Sequence, residues 1–163
     1  MRNSFVKIVV VLILSLSLHA KESVYIIPNE SEVVLDKVEE LIKKTKYKID
    51  ITVYNFKYKK IAKLLKSVSQ KGVKVNILFE KKKLKNKKSK YQYLCENQNI
   101  ECKVYKKAKQ HMKLMLFDDT VAMFGSANLT KESFKENLEL IYFTDNPKII
   151  GKLKTNFKAL FEQ

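Results

Sequence analysis

"KIDITVYNFKYKKIAKLLKSVSQKGVKVNILFE", residues 48–80, is the stretch on which the fold turns. Residues 48–56 alternate apolar and polar side chains, the pattern of a strand. "KKIAKLLKSVSQKG" is an amphipathic helix stopped by Gly72, because glycine accepts the left-handed backbone that ends a helix. "VKVNILF", 73–79, is a second strong strand. Strand, helix and strand at this spacing predict a parallel crossover unit, and hence an α/β chain.

Upstream, "VYIIP" reads as a short strand. Asn29 and Glu32 stand at capping-box spacing before "EVVLDKVEELIKK", whose Val34, Val38, Leu41 and Ile42 recur at helical intervals. Downstream, "KKKLKNKKSK" (81–90) holds seven lysines in ten positions and cannot bury itself, so a solvated, mobile loop is expected. It follows a strand whose C-terminal end is where open α/β sheets place ligands. Lys81, Lys82, Lys83, Lys87 and Lys88 are therefore candidates for contact with a phosphate backbone, against the alternative of a solvated loop without a role. "YQYLCENQN" reads as a short helix and "IECKVYK" as a strand. "HMKLMLF", the acidic turn Asp118-Asp119 and "TVAMFGSAN" read as a strand pair covered on both faces. "NLELIYFT" (137–144) is a further strand, and "PKIIGKLKTNFKALFEQ" is a closing helix with Pro147 near its first turn. No internal repeat or second domain is apparent.

Residues 1–20 look like an export signal. Arg2 and Lys7 precede an apolar stretch, Ile8 to Leu18, and "LHA" ends at the small residue Ala20. The stretch is short of the roughly 20 residues that a spanning helix needs. The expected organisation is a cleaved signal over 1–20 and a single domain over 21–163, exported to a bacterial periplasm. Leu18 is a poor residue two places before the cut, so an uncleaved membrane anchor is the alternative.

Removing Arg2 and Lys7 lowers the formal charge from +16 to +14, all of the remaining positive charge being lysine. An AT-rich genome accounts for much of that lysine, yet a domain so charged still gathers polyanions at its surface. Lysine is a point charge, suited to phosphate rather than to bidentate reading of guanine, so nucleic acid would be bound without regard to sequence. Cys95 and Cys102, in an exported protein and this close, suggest one disulfide; two buried free thiols are the alternative. One histidine and two close cysteines do not make a zinc site, and no metal or other cofactor is expected.

In a strand, His111 and Lys113 would share a face, since side chains alternate with a period of two. A reversal at Asp118 to Thr120 would set His111 opposite Ser126 to Asn128, with Gly125 allowing a close approach. An imidazole, an ammonium, a hydroxyl and a carboxamide would then meet at one end of a hairpin, an inventory suited to an anion. A satisfied core histidine is the competing reading. Lys113 counts against it, because a lysine on that face is costly to bury unless an anion meets it.

His111-x-Lys113-x4-Asp118 followed by Gly125-Ser126-x-Asn128 resembles the signature of the phospholipase D superfamily, and residues 48–80 resemble the first half of its fold. The resemblance is closest to small bacterial endonucleases with one motif per chain. It implies a mixed β-sheet flanked by helices on both faces. It also implies a histidine nucleophile that forms a phosphohistidine, and a second histidine that protonates the leaving alcohol and later activates water. On this chain His111, Lys113 and Asn128 would carry those roles, Ser126 assisting. Glu136, in the "EN" pair Glu136-Asn137, would orient the imidazole, with Glu139 a competitor. Asp118 lies at the turn, roughly 20 Å along an extended strand from His111, and reads as structural, stabilising the hairpin. Since the mechanism needs two histidines and the mature chain has one, a homodimer with a shared site is implied. The expected activity is metal-independent cleavage of DNA or RNA. A lipid phosphodiesterase and a non-catalytic cationic nucleic-acid-binding protein are the rivals, and a membrane is expected as a partner only if the signal stays attached.

Overall fold

The computed structural model describes residues 20–163; the export signal expected over 1–20 falls outside them but for Ala20. The strands are β1 (Glu22–Ile27), β2 (Lys48–Val53), β3 (Lys74–Glu80), β4 (Ile100–Tyr105), β5 (Leu114–Phe117), β6 (Val121–Gly125) and β7 (Glu139–Thr144). They form one mixed sheet in the order β1-β7-β6-β5-β2-β3-β4. The crossover unit anticipated over 48–80 stands at its centre: β2 and β3 pair in parallel, and helix α2 (Lys59–Ser69) links them. Gly72 follows α2 with φ +98°, a conformation that costs a residue with a Cβ dearly. β4 extends the parallel part, and β5, β6, β7 and β1 add antiparallel strands on the other side of β2.

Helices cover both faces, as the resemblance implied. Helix α1 (Ser31–Lys44), α2, and the short helices α3 (Tyr91–Cys95) and α4 (Lys131–Lys135) enclose the larger core, in which Val34, Val38, Ile42, Ile61 and Leu65 meet Ile49, Ile51, Val75 and Ile77 of the sheet. Helix α5 (Pro147–Phe161) lays Ile150, Phe157 and Phe161 over Leu78, Leu114, Leu116 and Ala122 on the opposite face. β5 is buried along its whole length, which explains its unbroken apolar run. Burying each large apolar side chain contributes about 2 kcal/mol before chain entropy is counted. Cys95, at the end of α3, is bonded to Cys102 in β4 and staples that helix to the sheet's edge. Among the described residues no helix is long and apolar enough to cross a membrane.

Several local expectations need correction. The Asn29–Glu32 capping box does not form. Glu30 occupies the N-cap of α1 without a side-chain cap, and its carboxylate instead accepts the Ile26 N–H at 2.7 Å. β2 ends at Val53 rather than at 56, and β5 begins only at Leu114. His111 and Lys113 thus precede the strand instead of lying in it. Helix α4 was not legible, because "KESFK" is too short to show a period; Thr130 caps it by accepting the Ser133 N–H.

Candidate active site

The candidate residues gather at one end of the sheet, where β2 and β6 finish and β5 and β7 begin. Although His111 is outside β5, the reversal still brings the Lys113 backbone beside β6, and the Gly125 N–H donates to the Lys113 carbonyl at 3.3 Å. Gly125 is required at this crossing, since a Cβ there would run into the Leu140 carbonyl of β7. Ser126 continues the contact, donating its N–H to Leu140 O at 3.0 Å and receiving the Leu140 N–H on its hydroxyl at 3.1 Å.

The Lys113 ammonium lies 3.0 Å from His111 Nδ1 and donates to the His111 carbonyl at 2.7 Å. A ring nitrogen facing an ammonium does so with its lone pair, which only the neutral imidazole offers at that position. Desolvation, then the charges of Lys113 and Lys109, hold the His111 pKa below its ordinary value, against a smaller opposing pull from Glu80. Desolvation also lowers the Lys113 pKa; Glu139 opposes that and Lys109 adds to it. An uncharged imidazole beside a crowded ammonium is an arrangement that can set a nucleophile next to a cation that stabilises anionic oxygens.

Ser126 Oγ donates to Glu139 Oε2 at 2.5 Å. The carboxylate that belongs to this constellation is therefore Glu139. Glu136 lies exposed at the C-cap of α4 and takes part in no side-chain hydrogen bond among the described residues, so the orienting role expected of it is not seen in the geometry. The "EN" pair follows a helix, and its Asn137 carboxamide donates to Glu139 Oε1 at 3.5 Å, whereas Glu139 opens β7 and is held in register by the ladder.

Asn128 sits beside an element that sequence reasoning passed over. Phe56 and Leu129 form an isolated parallel bridge, and the N–H groups of Lys57 and Tyr58 both donate to Leu129 O at 2.9 Å. Asn55 and Asn128 immediately precede the two bridged residues. The Oδ1 of each is buried without a partner among the described residues, so each carboxamide keeps hydrogen-bonding capacity that the protein does not use. Tyr54, next in line, was missed too. Its ring centroid lies 4.5 Å from that of His111, with the planes tilted by 58°. The signal that could have found both is their place just beyond the C-terminal end of a parallel strand.

Asp118 does not touch this end. Its carboxylate accepts the backbone N–H groups of Lys46, Tyr47 and Lys48 at 2.7, 2.8 and 2.9 Å, so it ties the hairpin to the start of β2 as well as turning it. The lysine loop divides. Lys81–Lys83 form a single 3₁₀ turn whose Lys83 reaches the Tyr54 ring. Lys87 and Lys88 border a separate hollow with Lys57, Lys90 and Lys131, and Lys81 and Lys82 are exposed. No three of His, Cys, Asp and Glu gather into a metal-binding group among the described residues.

The chain belongs to the family described as "Cardiolipin synthase, PLD-like domain", whose profile matches residues 38–161. That membership places it in the phospholipase D superfamily, as the spacing of His111, Lys113 and Asn128 implied. Among curated relatives, the probable cardiolipin synthase YwiE of Bacillus subtilis is 29% identical over 139 residues, 80% of this chain and 27% of that protein. The chain thus spans about a quarter of that relative's length. Among solved structures, NucT from Helicobacter pylori superposes with a TM-score of 0.83 at 27% identity, over 88% of this chain and 97% of that one. Nuc from Salmonella typhimurium, a phospholipase D family member, gives a TM-score of 0.78 at 24% identity over 89% and 96% of the two chains, a likeness of fold.

Proposed function

We propose that this protein is an exported, metal-independent phosphodiesterase that cleaves nucleic acid without sequence specificity, and that two copies share one active site. The observation that carries the reading is the His111 ring nitrogen 3.0 Å from the Lys113 ammonium at an exposed sheet end, with Lys109 and Lys83 close by. In the proposed first step an imidazole nitrogen attacks phosphorus. A P–N bond forms and the P–O bond to the leaving alkoxide breaks, while His111 of a second copy supplies the proton that the alkoxide takes. Water then displaces the histidine: its oxygen bonds to phosphorus, the P–N bond breaks, and its proton passes to the second imidazole. Lys113 and Asn128 stabilise the non-bridging oxygens, and Ser126, held by Glu139, assists.

The second copy has a surface to occupy. On the α5 side of the sheet, α5 leaves the outer strands β1 and β7 uncovered. Val24, Ile26 and Leu140 are exposed there, and Leu138, just ahead of β7, is 81% exposed. Leu140 is hydrogen-bonded through its backbone to Ser126, Leu138 and Leu140 flank Glu139, and Ile26 pairs with Leu140, so a self-complementary contact over this patch would bring two sites face to face.

The same apolar patch, with the cardiolipin synthase relatives, supports a second reading, a lipid phosphodiesterase. The test is a substrate panel in excess chelator: single- and double-stranded DNA, RNA and anionic lipid vesicles. The expected result is cleavage of a polynucleotide, abolished by His111→Ala. Cleavage of lipid alone would establish the second reading, and loss of all activity on chelation would refute the histidine mechanism.

A further inference from the structure

The Tyr54 ring has more cations around it than one scissile phosphate needs. Lys83, Lys109 and Lys113 place their ammonium groups 4.8, 5.3 and 5.4 Å from its centroid. Lys113 also touches His111, so it belongs to the attacked phosphate. Lys83 and Lys109 are surplus to that task, and neither takes part in an ion pair among the described residues. Three ammonium groups around one ring repel one another, and the π-face offsets only part of that cost.

The carboxylate that joins their two segments makes no ion pair with them. Glu80, at the end of β3, is buried, only 3% exposed. One of its oxygens accepts the Gln110 N–H at 2.7 Å and the other the Lys82 N–H at 3.1 Å. Gln110 is pinned again by its own side chain, which donates to Leu78 O at 3.3 Å. Glu80 therefore fixes the two segments that carry Lys83 and Lys109, one residue beyond Lys82 and one before Gln110. Two lysines on anchored backbones, facing one ring and making no ion pair among the described residues, are prearranged to receive an anion.

We infer that Tyr54, Lys83 and Lys109 form a second phosphate subsite, which holds the phosphate one sugar away from the one His111 attacks. This rests on the nucleic-acid reading above and adds to it: the preferred substrate has at least two consecutive phosphates, with a nucleoside between them near the Tyr54 ring.

The test compares kcat/KM for the thymidine dinucleoside monophosphate, with one phosphate, and the trinucleoside diphosphate, with two. The ratio of the two values is the readout, because it cancels changes in the chemistry they share. The wild-type ratio is expected to be about tenfold, the worth of one charge-assisted phosphate contact. In the Lys83→Gln/Lys109→Gln double variant it should fall to within about twofold of unity by the same reckoning. Tyr54→Phe, which keeps the ring, should retain the ratio, and Tyr54→Leu should lower it. A wild-type ratio near unity, or a ratio that survives in the double variant, would overturn the subsite while leaving the nuclease reading intact. If neither thymidine compound nor longer DNA or RNA is cleaved while lipid vesicles are, the nuclease reading fails and the subsite fails with it.

Discussion

The surroundings of His111 favour its neutral form, the form that the proposed nucleophile needs. Partial desolvation of this exposed ring comes first among the causes, followed by the charges of Lys113 and Lys109, and all three disfavour the imidazolium. A depressed histidine pKa means that the neutral form persists to lower pH than it would in a free side chain. Proton NMR titration of His111 should therefore give a midpoint below the ordinary value of 6.5. Removing one cation in Lys109→Gln should move the midpoint upward, because less repulsion then opposes protonation. A midpoint at or above 6.5 in the wild type, or no change in the variant, would show that the crowd of cations does not set the nucleophile's charge.

The β5–β6 hairpin is the element that delivers this chemistry, and its acidic turn is a structural device. Asp118 and Asp119 both adopt the left-handed conformation, at φ +49° and +53°, which suits the twist of a tight hairpin. Asp119 bridges Lys48 and Lys154 at 3.0 and 2.7 Å, joining the turn to β2 and to α5. Burial opposes the charge on Asp119, but the hydrogen bonds and charges of Lys154 and Lys48 prevail and lower its pKa. Its contribution to stability is thus complete above the unfolded carboxyl value and is lost as pH falls through the lower folded one. Replacing Asp118 by alanine strips three backbone N–H groups of their acceptor. The expected cost is about 2–4 kcal/mol in denaturant unfolding. A loss under 1 kcal/mol would mean that water replaces the carboxylate and that the motif aspartate does not brace the fold. Gly125→Ala should be damaging too, since the new methyl meets a backbone carbonyl that cannot move without breaking the β6–β7 ladder. A Gly125→Ala protein that melts within a degree or two of the wild type would refute that steric argument.

For the whole molecule the question is assembly. Glutamate in place of Leu140, on the uncovered face, should leave the monomer folded while shifting sedimentation from dimer to monomer and removing activity. Wild-type protein co-refolded with His111→Ala gives a sharper test. If two His111 residues serve one site, an equal mixture should retain about a quarter of the wild-type rate, and independent sites would retain about half. Activity linear in the wild-type fraction, with subunit exchange confirmed, would refute the shared site. A shared site should also show a rate that rises and falls with pH, as a coupled pair holds one neutral and one protonated imidazole.

Much was determined by the sequence alone. The period-two and helical patterns of 48–80 specified the parallel unit, because apolar spacing must match the face that is buried. The spacing from His111 through Asn128 identified the family, since that chemistry needs those side-chain types whatever surrounds them. Other features were decided by tertiary structure. Glu139 rather than Glu136 meets Ser126 because strand register, not proximity in the chain, sets which carboxylate arrives. The short helix α4 forms because Phe134 is buried against the core and Thr130 caps it, neither of which a five-residue window can reveal. Tyr54, Asn55, Glu80 and Lys109 carry no motif. They lie at one end of the sheet because β2, β3 and the segment before β5 end side by side, and only the folded sheet brings Tyr54, Glu80 and Lys109, so distant in the chain, close to His111.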